Sequence, residues 1–219
     1  MRVPPLALIV ISYLIGSIPF SFIVARLAAG ADIRQEGSRN VGATNVIRIA
    51  GKLPGIIALL LDLAKGYAVI ELARWMVSRP EWPFAASSAS PIDSREMWIA
   101  LAGLIAVLAH MFPVWLRLHG GKGVATAGGV FLALSPIVFA ASMIVFLIVL
   151  ISTRFVSLAS IMSAISIPLF MRFLVHDTPF WRIVISVVIV VAVITKHHSN
   201  IARITQGTER RVGERKGGE

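Results

Sequence analysis

Long apolar runs alternate with short polar segments along the whole of this 219-residue chain. A run of about 20 apolar residues is long enough to cross a bilayer as an α-helix. Because such runs recur from end to end, we expect residues 1–219 to form one all-α, polytopic membrane domain. The runs predict spans at Val3 to Leu27, Leu53 to Val77, Glu96 to Leu116, Val124 to Ile151, Val156 to Val175 and Trp181 to Thr195.

The fourth of these runs is interrupted in its middle by Ser135 and Pro136. Proline removes a backbone donor and kinks a helix, so we expect the run to form two helices and the chain to have about seven. Two such short helices cannot each cross a hydrocarbon core of about 30 Å. We therefore expect a tilted or partial hairpin that neighbouring helices shield from lipid.

The polar segments differ in their content of basic residues. Lysine and arginine are frequent in the loop at 31–52 and in the tail from Lys196, whereas the loop at 78–95 is rich in proline and serine. Because basic residues favour the cytoplasmic side, we expect the N-terminus outside and the C-terminus inside. Three polar segments would then meet at the cytoplasmic face, namely 37–48, 120–123 and 197–203.

Composition supports a membrane protein with an anionic ligand. Hydrophobic residues make up 57% of the chain and charged residues only 15%, against about 25% charged in soluble domains. The net charge of +10 suits cytoplasmic loops, an anionic ligand or anionic lipid headgroups, and a short basic cytoplasmic tail is expected from about residue 204. Nucleic acid is not an expected partner, because the basic residues are spread between apolar helices.

The first polar segment has the composition of a phosphate-binding loop. Glycines let backbone N–H groups approach an anion, hydroxyl and amide side chains add neutral donors, and an arginine supplies a fork-shaped cation. The alternative is a connecting loop rich in turn-forming residues, and local chemistry alone does not choose between the two. The candidate ligands are Gly37, Ser38, Asn40, Gly42, Thr44, Asn45 and Arg48.

A second candidate lies in a short polar island before the run that starts at Val124. Lys122 stands among Gly120, Gly121 and Gly123, at a predicted helix entry where the helix dipole also favours anions. The alternative is a loop lysine that only marks the cytoplasmic face. Next to the first loop, however, the segment strengthens the argument for a phosphate site.

A third candidate follows the last apolar run. His197, Asn200 and Arg203 are spaced by three residues, which places them on one face if a helix continues there. The alternative is a helix end with polar groups at the membrane interface. His198 points elsewhere in this arrangement, and we expect a structural role for it.

Two further sites are expected to be structural. Asp62 and Lys65 lie one turn apart inside a span, where charges are costly and usually paired, so we expect an ion pair that supports the bundle. His110 ends an apolar run, and we expect it to be buried and bonded to the backbone. With no cysteine, no paired histidine and carboxylate motif and no serine-triad motif in the sequence, we expect no metal, no cofactor and no Ser-His-Asp chemistry.

Together these segments resemble the acyl-phosphate-dependent glycerol-3-phosphate acyltransferases of bacteria. The resemblance covers essentially the whole chain, with the motifs in the right order and spacing. One departure is Arg39, where many members have glycine. The matching stretches are residues 37–48, 61–66, 110–115, 120–126 and 197–203, followed by Gly207 and Glu209.

The resemblance implies a seven-helix enzyme of the bacterial cytoplasmic membrane, with its active site facing the cytoplasm. It would transfer a fatty acyl group from acyl phosphate to the 1-hydroxyl of sn-glycerol 3-phosphate, the first step of phospholipid synthesis. The resemblance also implies that glycerol phosphate is bound by Ser38, Arg48, Lys122, His197 and Asn200, and that the backbone of 37–45 holds the phosphoryl group of the donor. Ser38, Lys122, His197 and Asn200 are the expected catalytic residues, and we expect a monomer.

Two other functions are compatible with the residues alone. A carrier for phosphate or organophosphates would also present anion sites, but its ligands should lie near the middle of the membrane and the chain should contain an internal repeat. A non-enzymatic protein that binds anionic lipids could use the basic tail, but it would not need two glycine-lined loops.

Overall fold

The structure is a computed structural model, and it describes residues 5–83 and 94–214. Most of the predicted loop at 78–95 and the last five residues of the tail, with Arg215 and Lys216, lie outside these ranges. The described residues form α-helices joined by short turns and by two longer loops, at 30–42 and 112–123. Their bounds are Pro5–Ser17 (α1), Phe20–Ala29 (α2), Ala43–Ala50 (α3), Lys52–Val77 (α4), Arg95–Met111 (α5), Val124–Leu134 (α6), Pro136–Thr153 (α7), Val156–Leu174 (α8), Phe180–Lys196 (α9) and His198–Thr205 (α10).

The prediction of an all-helical integral membrane fold is confirmed. Four segments in the described part of the chain are long and apolar enough to cross a bilayer, and a fifth is added if α9 and α10, which meet at 57°, form one broken span. Helix α4 is the longest at 26 residues, but its charged side chains lower its hydropathy. The four segments are Pro5–Ala29, Arg95–Leu116, Pro136–Thr153 and Val156–Leu174.

Proline breaks two of the predicted spans. The first span is divided between α1 and α2 at Pro19, and α6 ends at Leu134 before Pro136 begins α7. The expected break at Pro136 is therefore confirmed. The expectation that both halves are too short to span was wrong for α7, which continues for 18 residues to Thr153 and so reaches about 27 Å at 1.5 Å per residue.

Glycines allow the helices at the centre of the bundle to pack closely. A Cβ atom at Gly66 of α4 would overlap the carbonyl oxygen of Thr126 in α6, and a Cβ atom at Gly129 would overlap that of Leu63. Small residues at helix contacts are typical of membrane bundles, because backbone atoms can then approach directly. This contact fixes the start of α6, and with it the preceding loop, against α4.

The apolar side chains are divided between a packed core and a surface suited to lipid. Phe131, Ile70 and Val107 are fully or almost fully buried in the core that joins α4, α5 and α6. Helix α7, by contrast, buries only Val138 and Ser142, although its sequence is almost entirely apolar. An apolar helix that is mostly unburied within the chain is expected to face lipid.

Candidate active site at one end of the helix bundle

The first polar loop is organised around the side chain of Asn45. Asn45 is fully buried in the first turn of α3, and its Oδ1 accepts a hydrogen bond of 2.8 Å from the Ser38 backbone N–H. Its Nδ2 lies 3.0–3.1 Å from the carbonyl oxygens of Ile33, Glu36 and Asn40. The amide group therefore holds the loop, and a direct contact with substrate stays a prediction for this residue.

The loop exposes the other candidate ligands around this buried amide. Gly37 has φ +61°, and a Cβ atom there would overlap the Asn45 side chain, so the loop requires glycine at this position. The side chain of Ser38 is exposed, whereas Asn40 and Thr44 are half-buried. Gly42 precedes α3, and its carbonyl oxygen accepts from the N–H groups of Asn45 and Val46.

The glycines of the second loop serve close packing. The N–H groups of Gly120 and Gly121 donate to the carbonyl oxygens of Met111 and His110, both at 3.2 Å. A Cβ atom on Gly121 would overlap the His110 ring and the Val41 carbonyl oxygen. The two loops are therefore in direct contact. The N–H groups of Gly120 and Gly121 already bond to the end of α5. Binding of substrate by the backbone of these two glycines therefore stays a prediction.

Lys122 and Asn200 meet next to this contact. Gly123 has φ +80° and turns the chain into α6, and the Lys122 Nζ donates a hydrogen bond to Asn200 Oδ1. The Asn200 Nδ2 donates in turn to Glu209 Oε1 at 2.7 Å. One amide therefore bridges a cation and a carboxylate, and both its oxygen and its nitrogen are engaged.

Glu209 joins three donors at the centre of this cluster. Its side chain is 8% exposed, and it accepts hydrogen bonds of 2.7 Å from Ser157 Oγ, Asn200 Nδ2 and Arg203 Nε. Burial alone raises the pKa of this carboxyl group, but the three donors outweigh it and hold the pKa below its ordinary value. The cluster therefore keeps one negative charge among several positive ones.

The charges around Lys122 are predominantly positive. The pKa of the Lys122 ammonium is lowered to about 8, mainly by burial, with Arg203 and Arg48 acting in the same direction and Glu209 in the opposite one. The influence of Arg48 indicates that the first loop contributes its cation to the same site. Three cations next to a single carboxylate leave a net positive charge, which is suited to an anionic ligand.

His197 occupies the corner between α9 and α10. It is 2% exposed, and its Nδ1 lies 2.8 Å from the Val193 carbonyl oxygen. Since a carbonyl oxygen only accepts, Nδ1 carries the proton there, and in the neutral ring Nε2 then has the lone pair. The bend of 57° means that the spacing of three does not continue one straight helix, although His197 and Asn200 are both buried. His198 is exposed, and a structural role for it stays a prediction.

A second polar cluster lies inside the bundle behind the two loops. The expected ion pair is present, with Lys65 Nζ 2.8 Å from Asp62 Oδ1, and Ser21 Oγ donates to Asp62 Oδ2 at 2.7 Å. His110 is buried, as expected, but the expected bond to the backbone was wrong, because its Nδ1 lies 3.5 Å from Asp62 Oδ1. The two residues are far apart in sequence, so no local pattern pairs them.

Comparisons with known proteins agree on one family. The sequence model of the glycerol-3-phosphate acyltransferase family matches residues 6–207. The enzyme of that name from Thermosynechococcus vestitus is 43% identical over 96% of both chains, and that of Desulforamulus reducens is 37% identical over 99% of both. The chain belongs to the glycerol-3-phosphate acyltransferase family. The family predicted from the motifs is thus confirmed, and with it the prediction of an acyltransferase enzyme.

Crystal structures of an acyltransferase from this family have the same fold. PlsY, described as an integral membrane glycerol 3-phosphate acyltransferase, superposes in its glycerol 3-phosphate form with a TM-score of 0.82 and 40% identity, over 95% of this chain and 96% of that chain. Its lysophosphatidic acid form gives a TM-score of 0.80 and 39% identity, over 95% of both chains.

The candidate site contains residues that the sequence motifs do not assign to it. Glu209 was noted only as part of a family motif, and Ser157 was not singled out at all. A serine near the start of an apolar helix gives no local signal of this kind, because its partner lies on a distant segment. Within residues 5–83 and 94–214, no three His, Cys, Asp or Glu side chains come together as metal ligands do.

Proposed function

We propose that this acyltransferase moves the acyl group of a fatty acyl phosphate to the 1-hydroxyl of sn-glycerol 3-phosphate. The hydroxyl oxygen attacks the acyl carbon and forms an ester bond, while the bond from that carbon to the phosphate oxygen breaks. The hydroxyl proton passes to phosphate. The products are lysophosphatidic acid and inorganic phosphate, and no cofactor takes part.

The cation cluster around Lys122 is the observation that carries this proposal. Both substrates are phosphate esters or anhydrides, so a site for them must hold two anionic groups. The cluster contains three cations, Lys122, Arg48 and Arg203, which lie close enough together for their charges to act on one another. The carboxylate of Glu209 compensates only part of this positive charge. Placed at the end of an apolar bundle, such a cluster can bind phosphates while the acyl chain stays in lipid.

The roles of the individual residues follow from their geometry. Lys122 and Arg48 would bind the phosphate of glycerol 3-phosphate, with Asn200 orienting the Lys122 ammonium. Ser38 is exposed on its glycine-bounded loop and would donate to a substrate phosphate. The loop backbone at 37–45 would hold the phosphoryl group of the donor, with Asn45 fixing its shape.

Acyl phosphate is already activated, so the enzyme mainly needs to orient the substrates and stabilise charge. A substrate phosphate can then accept the hydroxyl proton, and His197 would bind and orient substrate through Nε2. The His197→Gln variant tests this step. If it abolished turnover while glycerol 3-phosphate still bound, a base at His197 would be needed and the assignment of the proton to substrate phosphate would be wrong.

We also propose seven membrane crossings with the site facing the cytoplasm. Contacts at the helix ends support alternating directions: Arg74 near the end of α4 donates to the Ala133 carbonyl at the end of α6. Arg182 near the start of α9 pairs with Glu96 at the start of α5 at 2.8 Å. The cationic segments gather at the opposite end, which agrees with the preference of basic residues for the cytoplasm. We propose that the enzyme acts as a monomer in the cytoplasmic membrane.

The test is an acyl-transfer assay on purified protein with palmitoyl phosphate and glycerol 3-phosphate, measured as phosphate release. Release should require both substrates and should be lost in Lys122→Ala but not in Lys52→Ala, where an exposed lysine at the start of α4 is removed. Palmitoyl coenzyme A in place of the acyl phosphate should give no product. Turnover with the thioester, or none with acyl phosphate in folded protein, would refute the proposed donor.

A further inference from the structure

The segment after α10 folds back onto the bundle and does not extend as a free tail. We call residues 207–213 the C-terminal strap. The strap begins after α10 and reaches the corner between α7 and α8 at Arg154. On the way, its Glu209 carboxylate lies between Ser157 and Arg203 and accepts a hydrogen bond from each. The part of the predicted basic tail that the structure describes is thus built into the surroundings of the site.

Arg154 holds the strap through three hydrogen bonds to one residue. The Val212 N–H donates to the Arg154 carbonyl oxygen at 2.8 Å. In return, the Arg154 Nε and Nη2 donate to the Val212 carbonyl oxygen at 3.0 and 2.6 Å. The Arg211 guanidinium also lies over the Phe155 ring, 5.2 Å from its centroid. The strap is therefore attached to this corner by its main chain as well as by a side chain.

The backbone conformation of Arg154 indicates that its side chain matters at this position. Arg154 follows α7 with φ +63°, the left-handed conformation that usually calls for glycine after a helix. A residue with a Cβ atom is strained in that conformation. A glycine would end α7 equally well, but it would lack the guanidinium that donates to the Val212 carbonyl oxygen.

The attachment of the strap leads to Lys122 through a continuous series of hydrogen bonds. The strap carries Glu209, which binds the Asn200 amide at 2.7 Å, and the same amide accepts from the Lys122 ammonium. Glu209 also fixes Arg203, whose charge acts on Lys122. If the strap detached from the corner, the carboxylate would lose its fixed position and the Asn200 amide could rotate away from Lys122.

We propose that Arg154 is a positioning residue for glycerol 3-phosphate binding, acting through the strap and Glu209 on Asn200 and Lys122. This rests on the proposed function, because it takes Lys122 as a ligand of the substrate phosphate. Arg154 does not touch substrate. Its loss should therefore weaken the binding of one substrate and leave the chemical step nearly unchanged.

Steady-state kinetics on the full-length enzyme test the proposal. We expect Arg154→Ala to raise the KM for glycerol 3-phosphate about 10-fold, with smaller changes in kcat and in the KM for palmitoyl phosphate. Arg154→Lys keeps one donor for the Val212 carbonyl and should restore part of the loss. Arg79→Ala is the matched control, since that arginine follows α4 and lies over Trp75, at the end of the bundle opposite to the site.

Shortened chains provide a second test that does not alter Arg154. A chain that ends after Arg210 keeps Glu209 but lacks Val212, and it should reproduce the KM of Arg154→Ala. A chain that ends after Glu214 keeps the whole strap and should behave like the full-length enzyme. Adding Arg154→Ala to the chain that ends at Arg210 should change little, because that chain already lacks Val212, the partner of the Arg154 guanidinium.

The outcomes separate the two proposals. If the unaltered enzyme shows no phosphate release that depends on glycerol 3-phosphate, the proposed function fails and the positioning role falls with it. If the unaltered enzyme is active but Arg154→Ala and the end at Arg210 leave this KM unchanged, only the positioning role is refuted. A lower Tm of Arg154→Ala with an unchanged KM would give Arg154 a purely structural role and would also refute it.

Discussion

The amide of Asn200 accepts a hydrogen bond from the ammonium of Lys122, 78 positions away in the chain. This contact joins the loop before α6 to α10. Two sequence motifs that are weak evidence when taken singly therefore lie together in one candidate site. The same amide donates to Glu209 at 2.7 Å, and it therefore also holds this carboxylate close to the Lys122 ammonium. The behaviour of that lysine should therefore be visible in the pH dependence of the enzyme.

We expect kcat/KM for glycerol 3-phosphate to fall as the pH rises through about 8. Burial lowers the pKa of Lys122 to about 8, so the ammonium is charged and binds phosphate below that pH, and it loses its charge above it. The ratio kcat/KM reports the free enzyme, whereas bound phosphate would raise this pKa. The measurement is phosphate release over a range of pH, corrected for hydrolysis of the acyl phosphate without enzyme.

Lys122→Arg is the control for this pH dependence. A guanidinium does not lose its proton in this range, so the fall near pH 8 should disappear even if the variant is less active, because arginine does not fit every lysine site. A profile of Lys122→Arg that falls in parallel with that of the unaltered enzyme would assign the titration to another group.

Asn45→Ala should lower both stability and affinity. The change removes the hydrogen bonds of a fully buried amide to four backbone groups of the first loop, and unsatisfied buried groups cost about 1–3 kcal/mol each. We expect a clear fall in Tm and a higher KM for glycerol 3-phosphate. Asn45→Asp should be no better, because a carboxylate cannot donate to the three carbonyl oxygens.

Gln35→Ala is the comparison for Asn45→Ala, since Gln35 lies in the same loop with an exposed side chain. We expect it to leave Tm and KM close to those of the unaltered enzyme. If Asn45→Ala behaved in the same way, the amide would not be holding the loop.

The sequence predicts those features of the fold that depend on local pattern. The length of the apolar runs predicts the spans, and Pro136 predicts the break between α6 and α7. Both features can be seen in the local sequence without knowledge of distant contacts. The predicted run ends at Ile151, whereas α7 continues through the polar residues Ser152 and Thr153. Their hydroxyl groups instead bond to the carbonyl oxygens of Ile148 and Val149 within it.

The site was predicted in outline, and its internal connections were not. The motifs contain Lys122 and Asn200, but they do not say that Glu209 links Asn200 to Ser157 and Arg203. The glycines of the second loop have the composition of an anion site, yet Gly120 and Gly121 pack on α5. Such contacts depend on the relative placement of distant helices, which no local pattern contains.

Gly121→Ala should disrupt folding far more than Gly128→Ala. A Cβ atom at Gly121 would overlap the His110 ring and the Val41 carbonyl oxygen, whereas at Gly128 it would only touch Phe139 at 3.4 Å. Overpacking of this kind costs about 1–3 kcal/mol or more, while alanine in a helix gains about 1 kcal/mol over glycine. Thermal unfolding of both variants in detergent is the measurement, and equal Tm values would contradict the close contact of the two loops.

Asp62→Asn should destabilise the protein more than the double change Asp62→Asn with Lys65→Gln. The single change leaves the Lys65 ammonium buried with the Ile18 carbonyl oxygen at 2.7 Å but without its counter-charge, and breaking a buried pair costs about 3–5 kcal/mol. The double change removes both charges from the interior of the bundle. Unfolding of the two single variants and the double variant forms a cycle. A double variant whose loss equals the sum of the single losses would mean that the two charges do not stabilise each other, and that the cluster behind the loops is not held by this ion pair.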